Sequence, residues 1–268
     1  MCKNDPIETI ERGKYRIDIY PDMNPSDPLE DCDGYYPMIV KGGRNFNDHD
    51  YGGLEDALMR AMDKLQPEQM RALAATLDNG AELIAEAEED NEREDYDTAQ
   101  ERELAIADDL SDAIRDLVSS DSKSEALDTL EAIADFLTWP CLNTCSQGYS
   151  QGDYVDVLVC WTPDFGKNFG VKRENVTDKD MKATLHDWSA WAWGSVYGYT
   201  VTDTETEEQI GSCWGFYGYE HEKSGLMEAA EEDIRTRQHT VTQEHIAKVK
   251  AWTRHHVPME HRTAMPRI

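Results

Sequence analysis

Carboxylates recur at helical spacing in the middle of this chain. Two runs place acidic residues at i, i+4 and i+7 or i+8. These runs are Glu82, Glu86 and Glu89 or Asp90, and then Asp108 or Asp109, Asp112 and Asp116. Residues at this spacing share one face of a helix. Because a helix rises about 1.5 Å per residue, such a face presents a negative charge about every 6 Å. The chemistry is electrostatic: the face attracts surfaces built to hold phosphates.

The linear charge density of these runs is close to that of a nucleic acid. B-DNA carries one phosphate per about 3.4 Å of axis on each strand, which two acidic helices side by side approximate. Carboxylates at i, i+4 repel by a few tenths of a kcal/mol per pair, and Arg93 and Arg102 are among the few nearby cations. Because this repulsion brings no structural gain, it favours a functional role for the acidic residues. The alternative is a solvated, purely structural charged segment around 88–103.

We therefore predict a partner-binding surface made of acidic side chains from one helical region. Its predicted members are Glu82, Glu86, Glu89, Asp90, Glu92, Glu94, Asp95, Asp97, Glu101, Asp108, Asp109, Asp112 and Asp116.

The distribution of charge along the chain supports a local function for this acidity. The formal net charge is −29 over 268 residues. Residues 54–137 hold 25 Asp and Glu against 7 Lys and Arg, whereas residues 235–268 hold 7 Lys and Arg against 2 Asp and Glu, with five histidines. Adaptation to high salt would spread the acid evenly. The charge argues against direct binding to nucleic acid or to anionic membranes.

Composition indicates a folded protein of a reducing, cytoplasmic compartment. Seven Trp, twelve Tyr and five Phe argue against a disordered chain. No run of 18 apolar residues is present to span a membrane. The segment from Met1 to Pro6 lacks the apolar stretch of a secretory signal. The six cysteines are therefore expected as free thiols in a reducing compartment.

The order of elements predicts an α+β fold, with a small antiparallel sheet, packed helices and an acidic helical insertion. We divide the chain into four regions. They are 1–53, N-terminal strands and a turn-rich loop in the core; 54–139, the acidic helices; 140–236, the hairpin-rich remainder of the core; and 237–268, a basic helix and tail.

Periodicity predicts the individual elements. Strands are expected at 15–20, 36–40 and 154–161, and a β-hairpin from 196–202 and 210–217. Pro67 is expected at the start of a helix, and a third helix is predicted from near Ala81 past Ala99. The spacing of Leu104, Ile106, Leu110, Ile114 and Leu117 predicts a fourth, and Ser122 and Glu125 predict a capping box. Further helices are predicted at 178–193, 225–236 and 241–254.

Other residue groups have side chains that suit metal binding or catalysis but lack the required pattern. Cys141 and Cys145 lack the second pair of a zinc site. The segment 27–34 fails the calcium-loop pattern, because Leu29 and Val40 stand where acids are required. Cys213 as a nucleophile would need a nearby base, and no catalytic motif is present. We therefore predict neither an enzyme nor a metal or cofactor site.

Aromatic residues cluster in the second half of the chain. Such side chains could stack bases, but single-strand binders also need a positive groove, and here the neighbours include Glu205, Glu207 and Glu208. We expect core packing of the hairpin from this group. It comprises Trp188, Trp191, Trp193, Tyr197, Tyr199, Trp214, Phe216, Tyr217 and Tyr219.

Two segments resemble a family of uncharacterised phage- and plasmid-borne proteins. The first is the run NPSDPLEDCDG at 24–34, followed by Met38 to Val40; the second is GSVYGY at 194–199 with IGSCWGFYG at 210–218 and residues 226–230. The resemblance covers about a quarter of the chain, leaves out residues 54–137 and implies a mobile-element origin. It supplies no activity. Separately, the charge pattern is similar in kind to phage DNA mimics that block restriction or CRISPR nucleases.

The sequence thus predicts an inhibitor of a host defence system that acts by DNA mimicry. Its partner would be a nucleic-acid-binding defence protein whose cationic channel takes the acidic helices. One alternative is an interaction module that binds through the aromatic hairpin, and another is a small enzyme using Cys213 or a histidine. Homo-oligomerisation is left open, since the acidic block and the basic tail attract each other.

Overall fold

The computed structural model describes residues 5–30, 34–42, 47–92, 96–120, 122–149 and 153–257. Its mixture of helices with two antiparallel sheets confirms the α+β class. The strands are β1 (Glu8–Arg12), β2 (Tyr15–Pro21), β3 (Met38–Lys41), β4 (His49–Tyr51), β5 (Cys141–Tyr149), β6 (Asp153–Cys160), β7 (Val196–Asp203) and β8 (Glu208–Tyr217). The helices are α1 (Leu54–Met62), α2 (Pro67–Ala74), α3 (Gly80–Glu92), α4 (Ala99–Val118), α5 (Lys123–Phe136), α6 (Pro163–Phe169), α7 (Asp178–Ala192) and α8 (Leu226–His256), with a 3₁₀ turn at Arg173–Asn175.

The chain divides into two compact units whose boundaries differ from the four regions expected from the sequence. The first unit combines residues 1–26 with residues 194–268, and the second unit is residues 27–193. The N-terminal strands therefore separate between the units: β1 and β2 belong to the first, and β3 and β4 to the second.

The first unit is a four-stranded antiparallel sheet in the order β1-β2-β7-β8, with α8 packed on one face. Ile17, Ile19 and Val201 alternate toward the helix and meet Leu226 and Ala230 in the core. Strands β7 and β8 form the expected hairpin. Its polar turn, 204–207, lies between strands whose inward residues are apolar, and this period-two pattern is why the hairpin could be predicted.

Helix α8 corrects a prediction. Two helices were expected at 225–236 and 241–254, but one helix of 31 residues runs from Leu226 to His256. The intervening residues 237–240 are polar but include neither Gly nor Pro, so nothing interrupts the backbone hydrogen bonds. Only the first half has buried residues, ending at Ile234.

The second unit has three layers around a sheet of order β4-β3-β6-β5. Ile39 and Leu158 face the core that the helices α1 to α5 share. Val157 and Val159 face the opposite core, which includes residues of α6 and α7. Because β6 is covered on both faces, its sequence is an almost continuous run of apolar residues. This run is the pattern that predicted the strand. Strand β5 was not predicted, since its polar residues hide the alternation.

The acidic helices are part of this hydrophobic core. Buried Ile106, Leu110, Ile114 and Val118 of α4 recur every four residues and join the core beside Leu158. Each such side chain contributes about 1.5–3 kcal/mol by leaving water. Residues 54–139, expected as an insertion, therefore supply one layer of the second unit.

The helix boundaries in this layer differ from the predictions. The third helix ends at Glu92 instead of passing Ala99, and α4 begins after Thr98, whose side chain and that of Glu101 form a capping box. This Thr-x-x-Glu pattern was the overlooked start signal. Ser122 does precede α5 but makes no side-chain cap. The carboxylate of Glu125 instead accepts a hydrogen bond from the Ser120 hydroxyl at 3.2 Å.

Two cysteines lie opposite each other on β5 and β6. Cys141 pairs with Cys160 in the strand register, and both thiols are free. Burial, with help from Asp135 and Glu131, raises the pKa of Cys141 to about 12. Burial likewise raises the pKa of Cys160. Since the thiolate is the reactive form, we expect both thiols to react slowly near neutral pH.

Alkylation should therefore distinguish these thiols from the exposed Cys213. At pH 8 we expect iodoacetamide to modify Cys213 quickly and Cys141 slowly, because the thiolate fraction of Cys141 is on the order of a thousandfold below that of an ordinary thiol. Peptide mass spectrometry over time measures each rate in the native protein. Equal rates for Cys141 and Cys213 in the folded chain would contradict the burial described here, and unfolding in urea is the control that should equalise them.

Candidate partner-binding surface

Helices α3 and α4 pack against each other and carry acidic residues on their outer faces. On α3, Ala87 and Asn91 are buried while Glu82, Glu86 and Asp90 are exposed. On α4, the buried row from Ile106 to Val118 lies opposite three exposed carboxylates, Asp108, Asp112 and Asp116. We call these two sets of three the acidic rows.

The other side of this helix pair is electrostatically neutralised. Arg71 of α2 forms ion pairs with Glu88 of α3 and with Glu103 of α4, the latter at 3.4 Å. These contacts raise the pKa of Arg71. At 100° per residue, Glu88 and Glu103 lie about half a turn from the acidic rows of their helices. Both rows therefore face away from α2.

A buried amide fixes α3 on α4. The Asn91 side chain donates to the Ala87 carbonyl oxygen at 2.8 Å and to Asp109 Oδ2 at 2.5 Å, and it accepts a hydrogen bond from the Tyr96 hydroxyl. Sequence analysis missed Asn91, which stands among acidic residues with no periodic pattern to mark it. Asp109, predicted as a binding residue, thus has a structural contact between the helices.

Removing that amide should loosen the helix pair. We expect Asn91→Ala to lower the free energy of unfolding by about 2 kcal/mol, because it removes the hydrogen bonds that join Asn91 to the carboxylate of Asp109 and to the hydroxyl of Tyr96. Thermal unfolding followed by circular dichroism measures the change. The matched control is Asp90→Ala at the exposed neighbouring position, expected within about 0.5 kcal/mol of the wild type. Equal effects of the two substitutions would refute the proposed role of Asn91.

The remaining predicted residues have varied surroundings. Glu89, Glu92, Asp97 and Glu101 are all exposed. Glu92 lies 4.0 Å from Arg102, and Glu101 accepts a hydrogen bond from the Thr98 backbone at 3.1 Å. Glu94 and Asp95 lie outside the residues that the structure describes. The six carboxylates of the acidic rows have no hydrogen bond or ion pair to another described residue.

Other candidate sites are structural where the chain is described. Asp27 accepts hydrogen bonds from the Leu29 backbone at 2.9 Å and from the Tyr51 hydroxyl at 2.6 Å, so it shapes a turn and anchors β4. His186 is exposed beside Asp187 at 3.0 Å. Within the described ranges, no three His, Cys, Asp or Glu side chains are grouped so as to hold a metal ion. No helix in those ranges combines the length and hydrophobicity needed to cross a membrane.

The aromatic group is only partly in the core. Tyr199 is buried as expected. Trp193 is 45% exposed, Trp214 is 49% exposed and Tyr219 is 70% exposed, so core packing was the wrong expectation for these three. The indole of Trp214 lies 6.2 Å from the ring of Tyr20 and against Gly198, where a Cβ would collide with it. The absence of a side chain at Gly198 creates this exposed aromatic position.

Comparison of the chain with protein-family models, curated proteins and solved structures finds no significant match. The function is therefore inferred from the chemistry of the acidic rows and of the exposed aromatic residues.

Proposed function

We propose that this protein inhibits a nucleic-acid-binding defence complex by imitating DNA, with the acidic rows occupying a cationic channel. The observation that carries the proposal is the asymmetry of the α3–α4 pair. Six carboxylates without described partners lie on one side, whereas Arg71 neutralises two carboxylates on the other. A purely solubilising surface has no need of this segregation.

The spacing of the rows is compatible with that of phosphates. Within a row, successive carboxylates at i, i+4 are about 6 Å apart along the helix. Packed helices have axes about 8–10 Å apart, and this lies between the widths of the minor and major grooves of B-DNA, about 6 and 12 Å. Arginine and lysine side chains arranged for two phosphate strands could therefore reach both rows.

Rigid support of the rows favours tight binding. Leu110 and Ile114 of α4 are fully buried in the core of the second unit, and Asn91 fixes α3 beside them. A surface already held in its bound geometry loses little conformational entropy on binding. The resemblance to phage- and plasmid-borne proteins suggests a mobile-element origin and a host cytoplasm as the compartment. The charge pattern, similar in kind to that of phage DNA mimics, suggests a restriction or CRISPR-type nuclease as the target class.

Capture of the target tests this proposal. Tagged protein is incubated with bacterial lysate at low and at high salt, and retained proteins are identified by mass spectrometry. We expect a nuclease or other DNA-binding complex at low salt and its release at high salt, because contacts of the phosphate type weaken steeply with ionic strength. A target that does not bind DNA, or one held equally at both salt concentrations, would argue against mimicry.

A second candidate function is target binding through the exposed aromatic residues of the first unit. Trp214 favours this second function. Its indole is half exposed and lies against Gly198, and exposed tryptophans often contribute much of the binding energy of protein interfaces. In that case Trp214→Ala would abolish capture, and capture would survive high salt. Trp193→Ala is the matched control, since Trp193 has similar exposure but belongs to the other unit.

A further inference from the structure

The second half of α8 is a helical arm whose side chains are mostly exposed. An ion pair at 2.7 Å joins Arg237 of α8 to Glu208 of the sheet, just before this half begins. From Gln238 to His256 every residue is exposed except Ile246 and Thr253, which are half-buried. We call residues 238–256 the α8 arm. At about 1.5 Å per residue, the arm is nearly 30 Å long.

One face of the α8 arm is uncharged and partly apolar. The exposed fractions of its large side chains are 43% for Val241, 38% for Val249 and 58% for Trp252. Gln238, His245 and His256 complete the row. The steps between its members are three or four residues, which keeps them on one face. The ring of Trp252 stacks on that of His256 with centroids 4.8 Å apart, so the indole is already oriented.

Two opposite charges beside this face are placed so that they could pair between two copies of the α8 arm. Glu244 and Lys248 lie on the same flank, at i and i+4. In an antiparallel pair of helices related by a two-fold axis, residues of the same flank meet across the interface. An axis near residue 246 places Val241 opposite Trp252 and Glu244 opposite Lys248.

We propose that the α8 arm binds the α8 arm of a second copy of this chain as an antiparallel helix pair. This self-association is independent of the proposed inhibitory function. It covers Val241, Val249 and Trp252 with side chains of the same chemistry, and it forms two Glu244–Lys248 contacts. An acidic partner would satisfy Lys248 and Lys250 but leave the apolar face in water. An anionic membrane would be repelled by the net charge of −29.

Sedimentation equilibrium of the full chain tests the proposal. We expect the average mass to rise with concentration from 30.5 kDa toward twice that value. Val249→Glu should raise the dissociation constant at least about tenfold, because it buries an unpaired charge. The control Ala247→Glu changes the opposite, exposed face and should leave the constant unchanged. A wild type that stays monomeric at all concentrations, or equal weakening by both variants, would overturn the proposal.

A charge exchange tests the antiparallel register. Glu244→Lys and Lys248→Glu should each weaken the dimer, because each places like charges opposite one another, and the double variant should restore it. Circular dichroism checks that the helix remains intact in every variant. Failure of the double variant to recover would contradict the register. A monomeric wild type that instead sediments with anionic lipid vesicles through Trp252 would overturn self-association in favour of a membrane role.

Discussion

Reversal of Glu82, Glu86, Asp112 and Asp116 to lysine is expected to weaken binding to the captured target about a thousandfold. These four carboxylates belong to the acidic rows and have no hydrogen bond or ion pair to another described residue, so their replacement spares the fold. If each reversal costs about 1 kcal/mol of interaction with a cationic channel, the total is about 4 kcal/mol. Asp109 is left unchanged because it holds Asn91.

The control for this experiment changes net charge equally without touching the rows. Glu11, Glu30, Glu174 and Glu222 are exposed, and their carboxylates also have no hydrogen bond or ion pair to another described residue. Their reversal to lysine should reduce affinity only through long-range attraction, by less than about tenfold at physiological salt. Affinity is measured by surface plasmon resonance with the purified target. A similar loss in both quadruple variants would mean that net charge, and not the acidic rows, determines binding.

Gly80→Ala is expected to lower the free energy of unfolding by about 3 kcal/mol, with a fall in Tm of about 10 °C. Gly80 is the buried first residue of α3. A Cβ there would overlap the carbonyl oxygen of Ala74 and lie 2.9 Å from its carbonyl carbon and 3.1 Å from Cα of Ala75. All three atoms are backbone, so no side-chain rotation relieves the overlap, and α3 must move away from the end of α2.

Calorimetry of the wild type and of Gly80→Ala measures this effect. Ala81→Ser, at the exposed next position of the same helix, is the control and should change Tm by about 1 °C or less. Because displacement of α3 misaligns the acidic rows, Gly80→Ala should also weaken target binding at temperatures where it remains folded. An unchanged Tm for Gly80→Ala would show that the close approach of α2 and α3 is not as described.

Much of the fold follows from local patterns in the sequence. The four-residue recurrence of Leu110 and Ile114 predicted α4, and alternation in residues 196–202 predicted the β7–β8 hairpin, because period directly reports which face is buried. Strand β5 was missed because edge strands can be polar, and the continuity of α8 was missed because polar residues without Gly or Pro do not end a helix. The two strands predicted at 15–20 and 36–40 belong to different units. Local sequence patterns do not report this division.

The candidate surface was predictable in its location but not in its detail. Helical spacing identified Glu82, Glu86 and Asp112 as outward-facing residues, and the structure places them so. The neutralisation of Glu88 and Glu103 by Arg71 depends on tertiary packing over 17 and 32 residues. The same holds for Asn91 and Asp109, and for the exposure of Trp214 on Gly198. Sequence spacing shows which residues share a face of a helix. Which side chains of different elements contact each other becomes visible only in the folded structure.

Competition with duplex DNA tests the central claim most directly. The purified target is saturated with a fluorescent DNA duplex, and this protein is added while fluorescence anisotropy is recorded. DNA mimicry predicts full displacement of the duplex at one binding site, with the variant of the acidic rows failing to displace it and the control variant succeeding. A stable ternary complex of target, DNA and protein would contradict the account, since the acidic rows and the duplex would then occupy different surfaces.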